Sequence, residues 1–113
     1  MRQIKFRGKR TDTGEWVFGD LIHREAAPKS ISNVQVNGCG IIPETVGQFT
    51  GLLDKSGKGI YEGDVLNNGQ RNYFVCWNEE RGAWWLKNRD FIYTQPLGFL
   101  SAELFIIGDV FDD

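Results

Sequence analysis

The sequence has few of the residues from which catalytic and metal centres are built. Its 113 residues include one histidine, His23, and two cysteines, Cys39 and Cys76, which lie far apart. A structural zinc site needs four clustered nitrogen or sulfur ligands. A hydrolytic triad would need His23 and a G-x-S-x-G turn, and that turn does not occur. We therefore expect no catalytic residues, no metal and no cofactor, and we expect that the protein is not an enzyme.

Loops that bind phosphate or calcium are also missing. The stretch 51–59, GLLDKSGKG, lacks the Gly-Lys-Ser/Thr order of a phosphate loop and the alternating oxygen ligands of a calcium loop. Four acidic residues lie close to it in sequence: Glu44, Asp54, Glu62 and Asp64. They could bind a divalent cation or act as an acid–base pair, but carboxylates in polar turns more often form the turn itself or pair with nearby cations, here Lys55 and Lys58.

Long apolar runs and a strong charge imbalance are absent as well. No run approaches the roughly 20 apolar residues of a membrane span, and the first ten residues lack the apolar segment of a signal peptide. The net charge is −2 and the pI is about 5.4, which gives no overall attraction to nucleic acid. Two distant cysteines favour free thiols in a cytosolic protein. We expect a cytoplasmic location and no membrane partner.

The chain is rich in the residues of short strands and turns. It has 14 glycines, 3 prolines and 13% aromatic residues, and about nine or ten short segments show strand patterns at the close spacing of a barrel or sandwich. No segment of ten residues has a clean helical period, and one helical turn is expected near Ser101–Glu103. The finer predictions are a central strand at Tyr73–Trp77 buried on both faces, strands at Ala83–Leu86 and Phe91–Tyr93, a type I′ turn at Asn68-Gly69 and a bulge at Gly108.

A hairpin near the middle of the second half is the strongest candidate binding surface. Trp84 and Trp85 are neighbours on a strand, so their side chains point to opposite faces. If Trp84 packs inward with Leu86, Trp85 faces outward, where it is either covered by protein or free to stack a base or anchor a peptide. A local basic set lies on or beside this hairpin: Arg71, Arg81, Lys87 and Arg89.

A second candidate is the polar set in the segment ETVGQFTG. Thr45, Gln48 and Thr50 either line a ligand-contacting seam or satisfy buried backbone groups where two subdomains meet.

Several blocks of the sequence resemble the YopX family of small phage and prophage proteins. The blocks are Glu44–Leu52, Asp54–Asp64, the V-x-W segment Val75–Trp77 and the final strand Glu103–Asp112. The resemblance implies an all-β fold with an SH3-like barrel in the second half, and a bacterial or phage cytosolic setting. It implies no particular activity.

We therefore predict an all-β protein with a small, multi-stranded, barrel-like fold. An N-terminal β region, residues 1–60, packs on a C-terminal SH3-like barrel, residues 61–113, and the two share one core. We expect a non-enzymatic phage or prophage accessory protein that acts as a protein-interaction or binding module. The alternatives are a nucleic-acid-binding module that uses the aromatic and basic hairpin, and a self-assembling homo-oligomer.

Overall fold

The computed structural model describes residues 4–23, 34–99 and 101–111. The chain divides into two compact units, Met1–Phe49 and Thr50–Asp113, and the division falls within one strand. The domain boundary that the sequence suggested after residue 60 stays a prediction.

The first unit contains short antiparallel strands in two sheets. The strands are β1 (Phe6–Lys9), β2 (Trp16–Gly19), β3 (Leu21–His23), β4 (Val34–Val36), β5 (Cys39–Gly40) and the start of β6 (Gly47–Leu53). β1 pairs with β2 on one side and with Gly47 and Gln48 of β6 on the other. β3, β4 and β5 form a separate sheet in that order.

Close packing in the first unit depends on a glycine in β1. Gly8 lies against Ile41, which is fully buried. A Cβ atom at position 8 would overlap the Cγ2 methyl of Ile41. The absence of a side chain therefore lets β1 approach the buried isoleucine.

The second unit is built around a five-stranded antiparallel sheet with the order β11-β10-β9-β8-β12. Its strands are β8 (Asp64–Asn67), β9 (Asn72–Asn78), β10 (Ala83–Lys87), β11 (Tyr93–Pro96) and β12 (Phe105–Asp109). A further strand, β7 (Gly59–Tyr61), lies beside β6.

One face of this sheet covers the core of the second unit. Successive side chains of a strand point to opposite faces, and the inward residues of three neighbouring strands are Leu66, Val75 and Leu86. The buried cluster is Ile60, Leu66, Val75, Leu86, Leu97 and Leu104, with Leu52, Tyr73, Trp84 and Ile106 packed against it.

The predicted all-β class is confirmed. The described residues form three antiparallel sheets, and their only helices are 3-10 helices of three residues at Pro43–Thr45, Leu97–Phe99 and Ser101–Glu103. The last of these matches the predicted helical turn. No closed barrel is found in the part of the chain that the structure describes, so the SH3-like barrel stays a prediction.

Two local predictions in the second unit are wrong. Asn68-Gly69 does not form a type I′ turn, which needs positive φ at both central residues. Of these two residues only Gly69 has positive φ, and four residues separate β8 from β9. Phe91–Tyr93 is not a strand, because β11 begins at Tyr93 and Phe91 has a φ of 59°.

Of two other predictions, one is confirmed and one is only partly right. The expected bulge at Gly108 is confirmed by a register shift between Ile106 and Gly108. β9 is central in the sheet, as predicted, but it is not buried on both faces. Val75 faces the core and is buried, whereas Phe74 and Cys76 on the other face are only half-buried.

The carboxylate of Asp54 joins the turn after β6 to the last strand. Its Oδ1 accepts hydrogen bonds from the amide N (2.9 Å) and Oγ (2.7 Å) of Ser56 and from the amide N of Lys58 (2.9 Å). Its Oδ2 accepts a hydrogen bond from the amide N of Ile106 at 3.0 Å. Burial acts to raise the pKa of Asp54, but these four hydrogen bonds outweigh it and hold the pKa below its ordinary value.

Asp64 has a similar role at the turn between β7 and β8. It is almost fully buried, and its Oδ2 accepts a hydrogen bond from the amide N of Tyr61 at 2.8 Å. Gly63 in the same turn has a φ of 89°, donates to the carbonyl of Val75 and accepts from the amide N of Val110. Both aspartates of the acidic set in this unit therefore form turns.

We expect Asp54→Asn to lower the free energy of unfolding by about 1–3 kcal/mol at pH 7. The substitution places an NH₂ group opposite the Ile106 amide or loses the acceptors of the turn. Because the folded pKa of Asp54 lies below the ordinary 3.8, the unfolded chain binds more protons at acidic pH. The contribution is complete above the ordinary pKa and is lost as the pH falls through the folded pKa.

Urea unfolding between pH 7 and pH 2 measures this effect, with exposed Asp20→Asn as the control. The wild type and Asp54→Asn should converge in stability at low pH. A stability difference that is the same at every pH would contradict the role of the charge.

We expect Gly8→Ala to destabilise the protein by about 1–3 kcal/mol, because the new methyl group overlaps Ile41 in a packed site. Gly98→Ala is the matched control, since a Cβ at position 98 meets nothing within 4 Å, and it should change stability by less than about 0.5 kcal/mol. Thermal unfolding of both variants tests this prediction, and equal melting temperatures would contradict it.

Candidate functional site

The two tryptophans of β10 point to opposite faces of the five-stranded sheet. Trp84 packs with the core and meets Trp77 edge-to-face, with 5.0 Å between the ring centroids. Trp85 therefore lies on the outward face, where β10 places it opposite Cys76 of β9 and Pro96 of β11.

Three further aromatic side chains lie on the outward face with Trp85. Its ring meets Tyr93 edge-to-face at 6.0 Å, and Phe74 stacks on Phe91 at 6.1 Å. These four residues, Phe74, Trp85, Phe91 and Tyr93, are here called the aromatic face.

Two cations contact rings of the aromatic face. The Lys87 Nζ lies 4.5 Å from the centre of the Tyr93 ring, and the Arg81 guanidinium lies 5.9 Å from the centre of the Trp85 ring. Both distances are within the range of cation–π attraction. Lys87 lies between Phe74 of β9 and Tyr93 of β11, so the surface combines aromatic rings with positive charge.

The thiol next to Trp85 does not add a nucleophile to this face. Cys76 Sγ lies 3.5 Å from the carbonyl oxygen of Trp85, to which it donates a weak hydrogen bond. Burial raises the pKa of the Cys76 thiol above its ordinary value, so the thiol is protonated at neutral pH. Cys39 is also a free thiol.

The loop between β10 and β11 presents Phe91 in a strained conformation. Phe91 has a φ of 59°, which is unfavourable for a bulky side chain, and its side chain is 73% exposed. Asn88 holds the loop: its Oδ1 accepts hydrogen bonds from the amide N of Asp90 (2.9 Å) and of Ile92 (3.1 Å). Backbone bonds from Phe91 to Asn88 and from Asn88 to Ile92 complete the loop.

The same loop borders an open groove of about 580 Å³. The groove lies between this loop and the turn that joins β8 to β9, and every lining side chain except the ring of Tyr73 is polar. The lining residues are Gln70, Arg71, Asn72, Tyr73, Asn88, Arg89, Asp90, Thr94 and Gln95. We call it the arginine groove.

Hydrogen bonds also fix the turn on the other side of the groove. The Oδ1 of Asn68 accepts from the amide N of Gln70 (2.9 Å) and of Arg71 (2.8 Å), and the Oδ1 of Asn67 accepts from the amide N of Gly69 (2.6 Å). Each of the two loops that carry a groove arginine is therefore held by an asparagine side chain.

The structure separates the predicted hairpin residues into two groups. Arg71 and Arg89 line the arginine groove, whereas Trp85 and Lys87 lie together at Tyr93 on the aromatic face. Neither Trp85 nor Lys87 contributes to the lining of the groove.

The polar set of the ETVGQFTG segment has other contacts. Thr45 Oγ1 accepts from the amide N of Lys9 at 2.9 Å and donates to the carbonyl of Ile42 at 2.6 Å. Thr50 Oγ1 donates to the carbonyl of Ile60 at 2.8 Å. Gln48 lies in β6 opposite Phe6 and is half-buried. The two hydroxyl groups are thus engaged with backbone groups of their own units.

Sequence reasoning did not include three members of the aromatic face: Phe74, Phe91 and Tyr93. The sequence did contain a signal for Phe74, because a strand with apolar residues on both faces is usually covered on both faces. The position of Phe91 had no such signal, since it depends on the conformation of the Asn88 loop.

Metal binding and membrane spanning can also be assessed in the described residues. No group of three or more His, Cys, Asp or Glu side chains there is arranged to hold a metal ion. His23 ends β3 and is exposed. No helix among those residues has the length and apolar character needed to cross a bilayer.

Comparison with known protein families identifies the family of the chain. The family model described as YopX protein matches residues 5–113, which is nearly the whole chain. The chain belongs to the YopX family. The resemblance inferred from the sequence blocks is thereby confirmed, and no curated protein matches this YopX chain.

A solved structure shares the fold of this YopX chain. It is protein EF1440 from Enterococcus faecalis, with a TM-score of 0.56 and 19% sequence identity. The match covers 97% of this chain and 94% of that chain. At this identity the likeness shows a common fold alone.

We expect Asn88→Ala to loosen the loop that carries Arg89 and Phe91. Its side-chain oxygen holds the Asp90 and Ile92 amides, so hydrogen exchange at those two amides should become at least several-fold faster. Asn88→Asp keeps the acceptor oxygen and should leave the exchange rates close to those of the wild type. Unchanged exchange in Asn88→Ala would show that the side chain does not hold the loop.

Proposed function

We propose that this YopX protein is a non-enzymatic interaction module, an accessory protein of a phage or prophage, that binds a protein partner on its aromatic face. The observation that carries the proposal is an apolar strand with one face left half-covered by its own chain. The partner we propose is a protein whose contact surface combines apolar and acidic side chains.

The uncovered face of β9 supports this proposal. The run from Tyr73 to Trp77 is apolar at every position, which is typical of a strand covered on both sides. The inward residue Val75 is buried in the core, but outward Phe74 and Cys76 are half-buried. A partner seated on the outward side would complete the burial that the composition of the strand favours.

The composition of the face supports a protein as the partner. Aromatic and arginine side chains are the types enriched among the residues that contribute most to protein–protein binding. Trp85, Tyr93 and Phe91 present rings, and Arg81 and Lys87 stand beside two of those rings. Acidic groups on the partner could pair with these two cations.

The strain at Phe91 also supports a binding role. A positive φ at a phenylalanine costs free energy, and such residues cluster at ligand clamps and switch regions. Packing of the ring into the protein's own core would offset that cost, but the Phe91 ring remains largely exposed. A ring held out by a strained loop is suited to anchor a partner.

Two other occupants of the face are outcomes of the same test. A nucleic-acid strand could stack a base on Trp85 between two cations, and a second copy of the chain could cover the aromatic face by self-association.

The proposal is tested by capturing partners from a lysate of the bacterial host with tagged wild type, Phe91→Ala and Phe18→Ala, with and without nuclease. Phe18 is a matched control because it is an exposed phenylalanine of the first unit, at 44% against 73% for Phe91. Both variants should fold, because each changes an exposed side chain.

The proposal predicts a captured protein that resists nuclease, is retained by Phe18→Ala and is reduced at least tenfold by Phe91→Ala. Capture that disappears with nuclease would favour nucleic acid instead. A molar mass of a dimer or larger by light scattering, reduced to the monomer by Phe91→Ala, would favour self-association. Equal capture by both variants would overturn the aromatic face as the binding surface.

A further inference from the structure

We infer that the arginine groove binds a nucleotide through its phosphate, either as a free nucleotide or as one unit of a single strand. This site is separate from the aromatic face and does not depend on the proposed protein partner.

The groove contains side chains whose hydrogen-bonding groups are not used within the described residues. The guanidinium groups of Arg71 and Arg89 make no hydrogen bond or ion pair there, and the same holds for the carboxamides of Gln70 and Gln95 and the hydroxyl of Tyr73. Other lining groups are engaged: the Asn88 oxygen holds its loop, and Thr94 Oγ1 donates to the Leu86 carbonyl at 3.1 Å. The unused groups are those that a ligand would meet.

The charge of the groove favours an anion. The lining contains two arginines and one aspartate, Asp90. The groove is therefore positive, although the net charge of the chain is −2. The planar guanidinium matches the geometry of a phosphate and can donate two parallel hydrogen bonds to it. The local sign is therefore opposite to that of the whole molecule.

The remaining groups suit the base and sugar of a nucleotide. A phosphate ion would fill only a small part of a groove of about 580 Å³, and sites of a few hundred Å³ hold ligands of nucleotide size. Carboxamides pair with base edges because each has a donor and an acceptor, and Asp90 can accept from an amino or hydroxyl group. The Tyr73 ring offers an apolar contact, although its other side packs against the core.

The two loops that carry the arginines are held in advance of binding. Asn68 fixes the turn before Arg71, and Asn88 fixes the loop that contains Arg89. A ligand therefore does not have to order these loops, which reduces the entropic cost of binding.

The test is a titration of the ¹⁵N-labelled protein with the four nucleoside monophosphates separately, with inorganic phosphate and with a short single-stranded DNA of mixed sequence. The signals to follow are the side-chain amides of Gln70 and Gln95 and the Nε–H groups of Arg71 and Arg89. The variants are Arg71→Ala, Arg89→Ala and Lys58→Ala. Lys58 is the control because it is an exposed cation of the same unit that lines neither the groove nor the aromatic face.

We expect at least one nucleotide or the DNA strand to shift these signals, and each groove variant to weaken binding by about tenfold, the effect of losing one charged hydrogen-bonding group. Lys58→Ala should leave the affinity unchanged, because this exposed cation does not line the groove. Tighter binding of the strand than of any monophosphate would identify nucleic acid as the source, and equal binding would identify free nucleotides.

Three results would overturn the inference. One is the absence of shifts with every probe at millimolar concentration. The second is equal affinity for inorganic phosphate and for the nucleotides, which would mean that the groove recognises only an anion. The third is equal weakening by Lys58→Ala, which would mean that the effect is general attraction to positive charge.

Discussion

The hydrogen bonds accepted by the Asp54 carboxylate are the constraint on which the order of the second unit depends. One oxygen closes the turn at Ser56 and Lys58, and the other holds the amide of Ile106 in the last strand. Residues more than fifty positions apart are thus joined by a side chain that is only 6% exposed. A backbone bond from Lys55 to the carbonyl of Leu104 supports the same junction. Because β12 forms the edge of the five-stranded sheet beside β8, this junction helps to position one edge of that sheet.

The two central YopX blocks, Glu44–Leu52 and Asp54–Asp64, therefore contain residues with a structural role. Thr50, Asp54 and Asp64 bond backbone groups with their side chains, and Gly63 has a positive φ and joins the turn to two strands. Buried polar groups of this kind need partners, and their loss is costly. Folding is enough to explain why these residue types occur at these positions. The two proposed binding surfaces lie elsewhere, on β9, β10 and the loops that follow β8 and β10.

A single loop contributes to both proposed surfaces. Asn88 fixes the backbone from which Arg89 reaches the groove and Phe91 reaches the aromatic face. Arg89 and the strained Phe91 lie in the same short loop that Asn88 holds, so the positions of the Arg89 and Phe91 side chains are linked. A partner on either surface would meet a loop whose conformation is already set.

The sequence by itself determined the all-β class, the family, the opposite directions of Trp84 and Trp85 and the bulge at Gly108. These features depend on local signals: alternation of side chains along a strand, glycines in turns and contiguous motif blocks. It also predicted the turn at Asn68-Gly69 and a strand at Phe91, and both were wrong, because asparagine side chains at positions 68 and 88 hold longer loops through bonds that no pattern reveals. Only the tertiary structure decided that Arg71 and Arg89 share a groove while Trp85 and Lys87 lie on the aromatic face. The physical reason is that strand order and loop conformation, which bring distant residues together, are fixed by long-range hydrogen bonds and packing rather than by neighbours in the chain.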